Sequence, residues 1–266
     1  MRVQAFYKRF SQLLALRWLA GIAGRDRQIC GPHRVADPAL LTMSPDGGLP
    51  GDVIIVQHED ESLRERCHAA GIPLFLSPLP TAHWRRILAM HWPWVWMAAP
   101  WGVYGTFVKV FDSGVLLMGP EGSGKSDVAL SLIDRGHAVV ADDGPEIHAD
   151  PHCGLVGRCP NGFEGLMEVH GLGIVNVMEL FGHDSHLPAW PLDLILRLSL
   201  SFQARDVVSH EVCYGSYAMG GRSVPVIDLP VGRNRDMGLV AETAVRLHRA
   251  KQLGRLDDSE RTAARR

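Results

Sequence analysis

Residues Gly119-Pro120-Glu121-Gly122-Ser123-Gly124-Lys125-Ser126 bring three glycines, an ammonium and two hydroxyls together within eight positions. Glycines at this spacing let successive backbone N–H groups converge on phosphate oxygens. Lys125 can then reach the β- and γ-phosphates of a nucleoside triphosphate, and the Ser126 hydroxyl can ligate Mg²⁺. The flanks fit that chemistry. Gly114 to Met118 is an apolar run that reads as a buried strand, and the stretch from Lys125 to Asp134 sets Val128, Ala129, Leu132 and Ile133 on one face of a helix. Gly136 follows Arg135 where a helix C-terminal glycine belongs, and the Arg135 charge suits that end of the helix dipole. A further strand, Ala138 to Ala141, ends in Asp142-Asp143. Beside the strand that feeds the loop, it sets two carboxylates at the carboxyl edge of a parallel sheet, where open α/β sheets bind ligands. One can serve a metal, the other a proton.

The elements expected to position these residues belong to an α/β chain in two parts, a small amino-terminal domain over residues 1–98 and a catalytic domain over residues 99–266. In the first, Phe6 to Ala20 carries Phe6, Phe10, Leu13, Leu14 and Trp18 at helical spacing and stops at Gly21. Asp52 to Val56, Glu59 to Ala70 and Ile72 to Leu76 then read as strand, helix and strand, a βαβ unit without a phosphate loop. The run His91 to Trp101, with two prolines and four tryptophans, cannot be regular helix throughout, and the domain boundary is expected there. In the second part, the apolar strand Leu194-Ile195-Leu196 and the stretch Val224 to Asp228 precede a last helix from Leu239 to Leu253. That helix is expected to dock through Leu239, Val240, Thr243, Ala244 and Leu247. Asp257 to Arg266 is polar and expected to fray.

Composition narrows the function classes. The 266 residues carry 27 basic and 29 acidic side chains, a net charge of −2, so no basic field advertises a nucleic-acid partner. Cys30, Cys67, Cys153, Cys159 and Cys213 are odd in number and scattered, which suits a reducing cytosol. Cys153 and Cys159 lie near His148 and His152 but lack the second close pair that zinc sites use. No run approaches the roughly 18 apolar residues of a membrane span, and Met1-Arg2-Val3-Gln4 lacks a signal peptide's apolar core. A cytoplasmic protein without a membrane partner is expected.

Four stretches resemble the bacterial HPr kinase/phosphorylase family: residues 119–126, Arg135 to Asp143, Glu168 to Val177 continued by Met178-Glu179-Leu180-Phe181-Gly182, and Pro230-Val231-Gly232-Arg233-Asn234. Similarity extends into the first part through Leu16 to Gly21 and Gly71 to Thr81. The resemblance implies a P-loop kinase domain built on a central, mostly parallel or mixed sheet of phosphoenolpyruvate-carboxykinase-like architecture. It further implies ATP and Mg²⁺ as cofactors, the phosphocarrier HPr as partner, a serine as phosphate acceptor, phosphorolysis of phosphoserine as the reverse activity, and a hexamer. Carried over by position, Asp143 is the acid/base, Glu168 joins Ser126 and Asp142 on the metal, and Arg205 is the nearest candidate for the catalytic arginine. Gly232-Arg233-Asn234 serves the dephosphorylating direction, where Arg233 can grip phosphate. Two positions depart from the pattern. A gapless alignment puts Tyr104 where the family has its catalytic histidine, and His170 stands where an arginine is usual. Tyrosine, with a reference pKa of about 10, cannot carry a proton at neutral pH as imidazole can. These departures keep a non-catalytic nucleotide-sensing regulator open as an alternative. The loop and acidic pair alone would equally serve a small-molecule kinase.

Overall fold

The computed structural model describes residues 1–29, 35–36, 52–92, 101–151, 153–199, 213–232 and 235–254. The chain divides into two compact units, one of Met1–Ala99 with Ala149–Val156 and Leu187–Pro191, the other of the remaining residues from Pro100 onward. Residues 93–100, where the boundary is expected, and 255–266, expected to fray, lie outside the described residues.

In the first unit, α1 (Val3–Phe10) precedes β1 (Arg17–Ala20), β2 (Val35–Ala36), β3 (Val53–Val56), α2 (Glu61–Ala69), β4 (Leu74–Leu76) and α3 (Thr81–His91). The sheet order is β1-β4-β3-β2, with β3 parallel to β4 as a βαβ unit requires and β1 antiparallel to β4. All four β3 residues are buried because the sheet is covered on both faces. Val53 and Ile55 join Phe6, Phe10, Trp84 and Leu88 on one side, while Ile54 and Val56 join Leu63, Cys67 and Leu74 on the other. The single helix expected over residues 6–20 is not formed. α1 ends at Phe10, Ala15 turns left-handed at φ +48°, and Trp18 lies in β1, its ring edge-on to Phe75 at 4.9 Å. Pairing with β4 and packing of the half-buried Trp18 ring override a local periodicity that reads as helix.

The second unit holds β5 (Trp101–Gly102), β6 (Thr106–Val110), β7 (Ser113–Met118), α4 (Lys125–Asp134), β8 (Ala138–Ala141), β9 (Glu146–Asp150), β10 (Gly154–Arg158), β11 (Leu166–Val169), β12 (Gly173–Asn176) and α5 (Val177–Phe181). β9 and β10 run into the segment grouped with the first unit, as does β13 (Ala189–Pro191). β14 (Leu194–Ser199), β15 (Tyr214–Met219), β16 (Arg222–Pro230) and α6 (Met237–Gln252) follow. The central sheet has six strands in the order β15-β16-β14-β7-β6-β8. It is mixed: β14 is parallel to β7 and to β16, whereas β15/β16, β6/β7 and β6/β8 are antiparallel. Of the expected mostly parallel or mixed sheet the mixed form is found, whereas the placement of the acidic strand directly beside the loop strand is corrected. The two-residue connection Phe111-Asp112 closes β6 and β7 into a hairpin, so β6 occupies the place next to β7. Two successive antiparallel pairings leave β8 running the same way as β7, and both still end at one sheet edge.

α4 and α6 cover one face of this sheet, where Val128, Ala129, Leu132, Ile133, Ala241, Ala244 and Val245 pack on Val108, Val115, Leu117, Leu194 and Leu196. α4 closes as expected: Gly136 has φ +87°, its N–H donates to Ile133, and the His137 N–H donates to Leu132. The docking face of α6 is the expected one only in part, since Ala244 is buried and Val240 packs against the core. Leu239 is 47% exposed and Thr243 faces solvent, while Ala241, Glu242, Ala244, Val245 and His248 are buried. A Cβ on Gly238 would sit 2.3 Å from the Ser131 hydroxyl, so α6 approaches α4 through small residues. Glu242 is buried because its carboxylate pairs with the His137 ring at 2.9 Å.

Candidate active site

The glycine-rich segment 119–124 leaves β7 and enters α4 directly. A Cβ on Gly119 would lie 2.8 Å from the Leu198 carbonyl and 2.6 Å from the Ser123 hydroxyl, so only glycine lets the chain leave the sheet here. Gly122 and Gly124 take left-handed φ values of +72° and +82°. Gly124 is also the residue preceding α4 and caps it with no side chain. The first-turn N–H groups of a helix have no intrahelical acceptor, and the dipole makes that end positive, so the start of α4 is suited to an anion. The Lys125 side chain is folded over the loop and only 5% exposed. Its ammonium donates to the carbonyls of Gly119 and Pro120 at 3.4 Å and sits 4.4 Å from the centroid of the Tyr104 ring.

Asp142 ties three elements together. It accepts from the Thr106 hydroxyl at 2.6 Å, from the Glu168 amide at 3.1 Å and from the Ser126 hydroxyl at 3.4 Å. Burial pushes its carboxyl above the usual range and the neighbouring Asp143 adds to this, while the three donors oppose the shift. Asp143, one residue further on, is exposed and holds a left-handed backbone at φ +55°. Such a conformation in a residue other than glycine is a local strain that surrounding structure must maintain. Glu168 lies on β11, its side chain exposed and its amide committed to Asp142. Its cross-strand partner in the β11/β12 hairpin is Ile174, and His170 is exposed at the turn. The structure thus brings Lys125, Ser126, Asp142, Asp143, Glu168 and Tyr104 to one edge of the sheet. Arg205, Arg233 and Asn234 lie outside the described residues; Gly232 is described, its carbonyl accepting from the Arg235 amide at 3.3 Å.

Tyr104 stands 54% exposed on the rim. It is fixed there by Gly105, whose Cβ would fall 2.5 Å from the Leu117 carbonyl, so the entry to β6 hugs β7. The Asp143 carboxylate foremost, then desolvation and the Glu121, Asp142 and Glu168 carboxylates, hold its phenol above the ordinary tyrosine range. Beside it opens a cleft of about 650 Å³ lined by Tyr104, Met118, Gly119, Pro120, Arg197 and Tyr217. Arg197 is held there by a bidentate pair with Asp228, at 2.5 and 2.8 Å. Sequence reading missed this pair. The available signal was a lone charge inside the apolar run Leu194 to Leu198, which reads as buried strand throughout.

No group of three or more His, Cys, Asp or Glu side chains close enough to hold a metal occurs among the described residues. What the edge offers instead is one half-buried carboxylate, Asp142, beside one hydroxyl, Ser126. These are hard oxygen donors. A pair of this kind fits Mg²⁺, which keeps most of its water and takes one or two protein oxygens together with phosphate oxygens, and does not fit an all-protein cage.

The family model for the HPr serine kinase C-terminal domain matches residues 96–265, more than half of the chain. The chain belongs to the HPr kinase/phosphorylase family. The HPr kinase/phosphorylase of Stenotrophomonas maltophilia (strain K279a) is 32% identical over 255 residues, covering 92% of this chain and 77% of its own length. That of Chromobacterium violaceum is 35% identical over 188 residues, covering 69% of this chain and 58% of its own length, so this match spans little more than half of that relative. The solved HPr(Ser) kinase/phosphatase from Coxiella burnetii matches with a TM-score of 0.54 at 32% identity, over 58% of this chain and 93% of that one. The family segment contains every element of the site described above, from Tyr104 to Gly232. Among the described residues, no helix is long and apolar enough to cross a membrane.

Proposed function

We propose that this chain transfers the γ-phosphate of ATP to a serine of HPr, or of a phosphocarrier like it, and runs phosphorolysis of the phosphoserine at the same site. The observation that carries the reading is the convergence on Asp142. One carboxylate holds the hydroxyl that ends the glycine-rich loop, the start of β6 and the hairpin bearing Glu168, so the loop and the acidic strand end form a single site. Family membership supports the acceptor.

In this reading the segment 119–126 is a P-loop within a phosphoenolpyruvate-carboxykinase-like kinase domain, and its amides and the start of α4 seat the phosphate tail. Mg²⁺, held by Ser126 and Asp142 with Glu168 beside them, would supply charge neutralisation at the phosphate oxygens. Lys125 brings its ammonium to the same oxygens. Asp143 takes the proton as the serine oxygen attacks phosphorus and the ADP oxygen leaves. In the reverse direction inorganic phosphate attacks phosphoserine, the serine oxygen leaves and takes a proton from Asp143, and pyrophosphate is the product. The phenol of Tyr104 stays protonated in its acidic surroundings and cannot be the base. Arg205, Arg233 and Asn234 remain proposed on resemblance alone, as does the hexamer, while a cytoplasmic setting is proposed on cysteine usage together with family membership.

The test is transfer of label from γ-labelled ATP, offered HPr and separately a panel of metabolites. Label on an HPr serine is expected. ATP binding with no transfer to either would favour the nucleotide-sensing regulator, a reading that Tyr104 and His170 motivate, and labelled metabolite would move the acceptor to small molecules.

A further inference from the structure

The position of Tyr104 raises a question that the transfer mechanism leaves unused: what an exposed tyrosine does beside the loop lysine. Two observations separate its parts. The face of its ring lies 4.4 Å from the Lys125 ammonium, whereas its hydroxyl makes no hydrogen bond among the described residues. Lys125 is nearly buried, is joined to no carboxylate among the described residues, and otherwise reaches only two loop carbonyls at the long end of hydrogen-bond range. An ammonium on a flexible four-carbon stem needs ordering to act at one place. A carboxylate partner would order it and neutralise it. An aromatic face orders it through the ring quadrupole and leaves its full charge for an incoming anion. The close pass of Gly105 against the Leu117 carbonyl then fixes where that ring stands.

We propose that Tyr104 is a positioning residue whose ring face, and not its hydroxyl, holds the Lys125 ammonium in place at the mouth of the glycine-rich loop. This rests on the nucleotide reading above and assigns a part to a residue that departs from the family pattern. A neutral ring on the rim replaces proton chemistry with placement.

The test compares Tyr104→Phe, which keeps the ring, with Tyr104→Leu, which keeps apolar bulk without a π face. Each is made in the parent chain and in a Lys125→Met background, with melting curves confirming that the variants fold. Two readouts are taken: the ring-current shift of the Lys125 ε-CH₂ signal in protein labelled with ¹³C-lysine, and calorimetric affinity for ATP and for inorganic tripolyphosphate. The parent and Tyr104→Phe are expected to show an upfield-shifted signal and affinities within about twofold of each other, while Tyr104→Leu loses the shift and weakens both ligands about tenfold. In the Lys125→Met background the leucine change should have no further effect, the mark of direct coupling. Should Tyr104→Leu fail to fold, Tyr104→Ala reads the same quantities. Equal damage from phenylalanine and leucine would assign the role to the hydroxyl and overturn the proposal, as would additive losses in the double variant or unchanged affinity in Tyr104→Leu. A parent chain that binds neither ATP nor tripolyphosphate would sink the nucleotide reading, and this role with it, even with the ring shift intact. Intact binding with no ring shift would sink the positioning role alone.

Discussion

Two strand–loop–helix units, one in each compact unit, share a plan and differ in chemistry at the start of the helix. Between β3 and α2 the chain uses Asp60 in an extended conformation, and its carboxylate accepts from the Leu63 amide at 3.0 Å. Between β7 and α4 the same place is Gly124, left-handed at φ +82°, with no side chain to offer. A helix start that supplies its own acceptor is closed to ligands; one that withholds it keeps several donors and the positive end of a dipole available. The aspartates divide accordingly. Asp60 spends its charge on its own helix, whereas Asp143 stands exposed at the sheet edge beside the open one.

Five substitutions test this contrast. The largest effect is expected from Asp143→Asn, which removes a proposed general base and should lower phosphate transfer to HPr by about 10²- to 10⁴-fold. Asp60→Asn, still a good cap, should leave transfer unchanged. Lys125→Met should cost about 10²- to 10³-fold in transfer, and a loss no greater than that of a surface lysine would mean that the open helix start binds no phosphate.

A third kind of aspartate sharpens the comparison through pH. Asp193 is half-buried, accepts from the Gly114 amide at 2.8 Å, and is pushed from its ordinary 3.8 up to about 7, chiefly by desolvation of its carboxyl. A carboxyl whose folded value is raised binds its proton more tightly in the native state. Its contribution to stability is therefore full below about 3.8 and is lost as pH rises through about 7. The melting temperature of the parent should fall relative to Asp193→Asn across that window, and parallel pH profiles would refute the assignment. The smallest effect is expected from Asp60→Ala, which should destabilise by about 1 kcal/mol and lower the melting temperature by roughly 2–4 °C, with transfer unchanged.

What could be read in advance followed the range of the signal. α4 and β8 occur with the bounds expected from periodicity and the flanking glycines, because both depend on spacing within ten residues. The break between α1 and β1 was not legible, since Ala15 is left-handed only because Trp18 and its neighbours pair with β4, some 55 residues downstream. The buried face of α6 departs from its apolar periodicity at Leu239 and Thr243 for a related reason. Its buried side carries Glu242 and His248, and nothing near Glu242 in sequence announces that His137 waits for it across the sheet. At the site, the loop and the acidic pair were legible as residue types. The Arg197–Asp228 pair was not, because each partner looks like an isolated charge until β14 and β16 lie side by side.

By itself the chain's residue order determined where an anion could be seated: glycines that permit left-handed turns and a close exit from the sheet, then a lysine and a hydroxyl on a helix with no cap. Only the tertiary structure decided what faces that seat. The β6/β7 hairpin inserts a strand before β8, Asp142 closes on Ser126 and the Glu168 amide, and Gly105 sets Tyr104 over Lys125. Local stereochemistry is written in adjacent residues, whereas strand order and cross-sheet contacts join residues that only folding makes neighbours.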